Sequence, residues 1–142
     1  MPDSTAKSGF NTRLKRATVQ IAEVVSITGP TLSRNPIDVT YMQSADGSAT
    51  TPDGWREFIG GLADGGEVTF ELNFLPGLAG HKTLITDLTG VKQSFSIEWA
   101  GTAADIWTFN ALVIGFEPSA QIDDKLSASV TMKVTEKPTF PA

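Results

Sequence analysis

Apolar and polar residues alternate with a period of two over most of this chain, and that period predicts β-strands. The clearest run is EVTFELNFL at residues 67–75, where Val68, Phe70, Leu72 and Phe74 alternate with Glu67, Thr69, Glu71 and Asn73. QSFSIEW (93–99) sends Phe95, Ile97 and Trp99 one way and Ser94, Ser96 and Glu98 the other. LSASVTMKVTE (126–136) sets Leu126, Ala128, Val130, Met132 and Val134 against Ser127, Ser129, Thr131, Lys133 and Thr135. DIWTFNALVIGFE (105–117) begins in the same way, with Trp107, Phe109, Ala111 and Val113 on one face. Its apolar character then spreads to Leu112, Ile114 and Phe116, which predicts a β-bulge or a stretch covered on both sides. Earlier, VQIAEVVSITGP (19–30) is rich in β-branched residues and closes on a Gly-Pro turn, and IDVTYMQ (37–43) predicts a strand with Ile37, Val39 and Tyr41 inward.

One segment departs from this period. LAGHKTLITDL (78–88) places Leu78, Ile85 and Leu88 on one face with Leu84 beside them, at helical spacing, directly after an LPG strand break. GWREFIGGLADGG (54–66) is a short amphipathic piece between glycines. SADGSATTPDG (44–54) holds almost nothing able to enter a core, and as a loop it is longer than a compact domain needs. Strands, one helix, then more strands predict a mainly β fold: an antiparallel β-sandwich or distorted barrel with one flanking α-helix. We expect a flexible N-terminal arm (1–16), a single β domain (17–137) and a proline-bearing C-terminal tail (138–142).

Composition narrows the classes. The 142 residues suit one core, and no stretch approaches the ~18 unbroken apolar residues of a membrane helix. The first residues have no apolar run with a small-residue cleavage site, so no secretory signal is expected. With no cysteine, disulfides, thiolate zinc sites and cysteine nucleophiles are excluded, which suits a reducing cytoplasm. The net charge of −5 is uneven. Lys7, Arg13, Lys15 and Arg16 face a single acid in the first sixteen positions, while the remaining seven basic and fifteen acidic residues leave the body near −8. Such a body does not attract phosphate backbones. The basic arm reads either as a nucleic-acid arm or as a flexible arm that docks on an acidic neighbour, and the acidic body favours the second.

No catalytic set is visible. Nucleophilic catalysis needs a base beside Ser, Thr or Cys, and the sole histidine, His81, lies within the predicted helix, where a satisfied or exposed role is expected. Glu67 and Glu71 share a strand face but stand roughly 13 Å apart, too far for a glycosidase pair. Asp123-Asp124 reads as a solvated turn. No spacing matches a zinc site or a calcium loop, and the glycine pairs at 60–61 and 65–66 lack the context of a phosphate-binding loop. We therefore expect no enzyme activity, no cofactor and no metal. What remains is the polar side of the sheet: Glu67, Thr69, Glu71, Asn73, Ser94, Ser96, Glu98, Thr108, Asn110, Ser127, Ser129, Thr131 and Thr135, with Lys133 the one base. This surface is short-chained, hydroxyl-rich and mildly acidic. It suits either a wall that something slides past or an ordinary solvated face.

Three stretches in order, GWREFIGGLADGGEVTFELNFLPGLAGHKTLITDL, SFSIEWAG and LSASVTMKVTEKPTF, with an acidic Gly/Ser/Thr loop before GWRE, resemble the tail tube (major tail) proteins of long-tailed bacteriophages. The resemblance spans roughly residues 19–137, and the family is related in fold to type VI secretion tube proteins. It implies a structural protein of the virion, made in the host cytoplasm, whose copies form six-membered rings that stack into a hollow tube. Partners implied are further copies of itself, a tape-measure protein, tail-tip and terminator proteins, and double-stranded DNA passing through without specific binding; no membrane is implied. It further implies that Glu67, Thr69, Glu71, Asn73, Ser94, Ser96, Glu98, Ser127, Ser129 and Thr131 face the lumen. Contacts between subunits would fall on the arm (Lys7, Arg13, Lys15, Arg16) and around the long loop (Asp46, Gly47, Asp53, Trp55, Arg56). The alternatives are a tube subunit of a contractile injection or type VI secretion machine, and a small β-sandwich binding module with residues 44–54 as its recognition loop.

Overall fold

The computed structural model describes Ser4, residues 6–41 and residues 54–141. Contacts divide the chain into two compact units, residues 1–31 with 65–142 and residues 32–64, where one domain over 17–137 was expected.

The larger unit is one antiparallel seven-stranded sheet. Its strands are β1 (Arg13–Arg16), β2 (Val19–Gln20), β3 (Val24–Thr28), β6 (Glu67–Asn73), β7 (Gln93–Glu98), β8 (Ile106–Ser119) and β9 (Ser127–Thr139). The spatial order is β2-β1-β7-β8-β9-β6-β3, so the long β8–β9 hairpin is its spine. The sheet is curled into a half-barrel. Its inner face carries Leu14, Val68, Phe70, Leu72, Phe95, Ile97, Phe109, Ala111, Val113, Ala128, Val130, Met132 and Val134, all buried in one cluster. The alternation in the sequence is thus what puts every apolar row on one side. Gly66 turns the chain into β6 at φ +69°, and a Cβ there would collide with the Thr31 carbonyl, so glycine is required.

Helix α1 (Ala79–Asp87) packs on this apolar face with His81, Leu84 and Asp87 buried. The expected face of Leu78, Ile85 and Leu88 is corrected: Ile85 and Leu88 are 44% and 40% exposed. Polar anchors set the helix phase instead. His81 Nδ1 accepts the Leu75 N–H at 3.1 Å, so its Nε2–H donates to the Ala22 carbonyl at 3.0 Å, the neutral tautomer. The ring also lies against Phe74, which meets Phe116 edge-on at 5.4 Å. Arg16 Nε and Nη2 donate to the Asp87 carboxylate at 2.8 and 2.9 Å. These bonds raise the Arg16 pKa above its ordinary value, burial opposes them, and the charge of Asp87 adds to them.

Other boundaries move as well. Residues 13–16 were expected in a flexible arm, yet they pair with β7 and β2, with Leu14 fully buried. Residues 19–30 do not form one strand, because Glu23 at φ +64° turns the chain between β2 and β3. Pro138 and Thr139 continue β9 into the expected tail. The smaller unit is a two-stranded hairpin, β4 (Ser33–Asp38) with β5 (Phe58–Asp64). Ile37, Val39 and Tyr41, expected inward, are 48%, 40% and 59% exposed. A two-stranded ribbon has no second layer of its own to bury them.

Candidate assembly surface

Directly opposed residues in an antiparallel pair point to the same side of the sheet, so the register maps the outer face row by row. Thr28, Thr69, Thr131 and Gly115 form one row across β3, β6, β9 and β8. Ser26, Glu71, Ser129 and Glu117 form the next. Asn73 with Ser127 and Ser119, and Glu67 with Lys133, complete the patch. The structure therefore brings Glu67, Thr69, Glu71, Asn73, Ser127, Ser129 and Thr131 together on the two adjacent strands β6 and β9. Ser26, Thr28, Glu117 and Ser119 extend it. The period-two pattern leaves Ser26, Thr28, Glu117 and Ser119 off this face, because the break at Glu23 and the bulge in β8 shift their phase.

The outer face changes character on β7. Ser94 is exposed and opposes Asn110, but Ser96 and Glu98 are only 6% and 7% exposed, which corrects their reading as open surface. The reason lies in β1, whose outward side chains cover them. Lys15 Nζ donates to Glu98 at 2.7 Å and Arg13 lies 3.8 Å from the same carboxylate. Among the described residues, then, the open polar patch belongs to β3, β6, β9 and β8.

The residues expected at subunit contacts fall into three groups. Arg13, Lys15 and Arg16 are engaged within the chain as above, and Lys7 pairs with Asp105 at 3.1 Å on the surface. Arg56 lies 3.8 Å from Asp38 in the hairpin. Asp38 is held below the ordinary carboxylate range chiefly by hydrogen bonding to Thr40, with Arg56 adding to it. Trp55 is 77% exposed. Asp46, Gly47 and Asp53, with most of the loop at 44–54, lie outside the described residues.

Two edges of the four-stranded patch have no strand partner among the described residues. One is the outer side of β3; the other is β8 from Leu112 onward, since β7 pairs only as far as Ala111. The curl of the sheet leaves a groove of about 610 Å³ beside β3, between Val24–Ile27 and the segment from Gly9 to Arg13, with Trp99 in its lining. No group of three or more His, Cys, Asp or Glu able to hold a metal occurs among the described residues.

The larger unit thus has a sheet with one side committed to a core, the other short-chained and polar, and, among the described residues, strand edges left open beside it. Comparison with known proteins makes this specific. The chain matches the Lambda phage tail tube protein family over residues 3–141, and it belongs to that family. The tail of an empty gene transfer agent particle with C6 symmetry contains a chain of the same fold: TM-score 0.77 and 16% identity, covering 96% of this chain and 100% of that one. A chain from the sheath/tube terminator of the extracellular contractile injection system PVC matches at TM-score 0.75 and 15% identity, over 98% and 99%. The SPP1 tail tube matches at TM-score 0.64 and 14% identity, over 94% and 78%. No curated protein sequence matches the chain.

Proposed function

We propose that this protein is the structural subunit of a phage tail tube, that six copies close into a ring, and that rings stack into a conduit for double-stranded DNA. The observation that carries the reading is the contiguous polar patch on β3, β6, β9 and β8 with, among the described residues, an unpaired edge on each side. Joining the β3 edge of one copy to the β8 edge of the next removes both open edges, and a repeated head-to-tail contact closes a ring. Four strands from each of six copies, about 4.8 Å apart and tilted by roughly 40°, close at a backbone diameter of about 48 Å. That leaves room for a duplex between the walls.

The patch then lines the lumen, with Glu67, Thr69, Glu71, Asn73, Ser127, Ser129 and Thr131 facing the DNA. Three of the patch's charges are acidic against one lysine: Glu67, Glu71 and Glu117 against Lys133. Like charge keeps phosphates from being held by counterion release, so the genome slides rather than binds. Trp55 and Arg56 are proposed contacts between copies; the proposed partners are the tail-end proteins that terminate and anchor the tube and a tape-measure protein inside it. The location is the phage tail. Light scattering with negative-stain microscopy of the purified chain tests this reading. Rings or tubes with an axial channel are expected; a monomer at every concentration would overturn it.

A further inference from the structure

On the outer face of the four-stranded patch, the inner strands β6 and β9 present only polar side chains. The apolar residues on that face are confined to the two edge strands, and in both cases a β-bulge accompanies them. In β3 the register shifts between Val24 and Ser26, so Val25 and Ser26 together oppose Glu71, and Val25 is 55% exposed. In β8 the register shifts between Val113 and Gly115, so Ile114 and Gly115 together oppose Thr131. Ile114 is 52% exposed, and Leu112, which opposes Lys133, is 39% exposed. A wall meant only to be wetted has no use for exposed aliphatic residues, and none of these three belongs to the core cluster.

We propose that Val25 of one copy packs against Ile114 and Leu112 of the next, an apolar seam that fixes the register of the ring. The occupant of each edge is a second copy of this chain. Each edge carries what the other lacks a partner for, and the groove beside β3 leaves space for an incoming strand. The inference rests on the ring reading above, and it adds what holds the β3 and β8 edges in register.

The chain has no cysteine, so engineered pairs report without background. Val25→Cys/Ile114→Cys should give, on mild oxidation, a thiol-reversible ladder of covalent oligomers, while each single variant stays monomeric on the gel. Rings that form without a ladder would overturn the seam and leave the ring reading standing. An unaltered chain that forms no rings would overturn both. Val25→Asp supplies a second arm: it should block ring formation while the monomer's melting curve stays unchanged, and adding Ile114→Lys should restore assembly at least tenfold over Val25→Asp. Normal assembly of Val25→Asp would contradict the proposal.

Discussion

Replacing Arg16 by methionine should destabilise the isolated subunit by about 2–3 kcal/mol, because it strips a buried carboxylate of its counter-charge. Asp87 has a side chain only 6% exposed, whereas that of Arg16 is 28% exposed. Breaking a fully buried pair costs about 3–5 kcal/mol; solvent at the guanidinium reduces the Coulombic share, and the two short bonds to Asp87 keep the loss well above that of a surface pair. For a chain of this size each kcal/mol moves the melting point by about 3–5 °C, so a drop of about 6–15 °C is expected. Thermal unfolding followed by circular dichroism at a concentration where the chain is monomeric reads this directly. The double variant Arg16→Met/Asp87→Leu should recover most of the loss, since removing both partners leaves no orphaned charge. The outcome bears on function as well as stability. If residues 13–16 were a free arm reaching for a neighbour, Arg16→Met would leave monomer unfolding unchanged and impair only assembly. A shift under 1 °C would refute the reasoning.

Further consequences follow from the same geometry. His81→Ala leaves the Leu75 N–H and the Ala22 carbonyl unpaired next to a void, and urea unfolding should show a loss of about 2–4 kcal/mol. Gly66→Ala forces a Cβ against the Thr31 carbonyl at a positive φ, which should cost about 1–3 kcal/mol in the same assay. Glu71→Lys/Glu117→Lys reverses two charges on one row of the polar patch. Tubes should still form, and they should retain DNA at low salt and release it as salt rises, a dependence the unaltered tubes lack.

The strands β6 to β9 and the helix were legible because each carries its own signal. Period-two runs survive in sequence wherever one face is buried, and even the bulge at Ile114 showed as a break in that period. β1 was not legible because RLKR holds a single apolar residue. Leu14 is buried through pairing with Ile97, a partner far along the chain that no local window contains. The helix was placed correctly and given the wrong face, since His81 and Asp87 look like surface residues until Ala22, Leu75 and Arg16 are brought to them. Ser96 and Glu98 were assigned to the right side of the sheet. What covered them was Arg13 and Lys15, which the sequence had placed in an arm. The polar face was thus readable strand by strand, but its extent depended on which strands are neighbours.

If the tube forms as proposed, the outer face of β3, β6, β9 and β8 lines its channel, and a cryo-electron microscopy reconstruction of the assembled chain images that face. The predicted map shows stacked rings with Glu71, Ser129 and Glu117 facing the axis and β3 of each copy beside β8 of the next. A tube whose lumen is lined by any other surface, or an assembly with this face turned outward to solvent, would contradict the account.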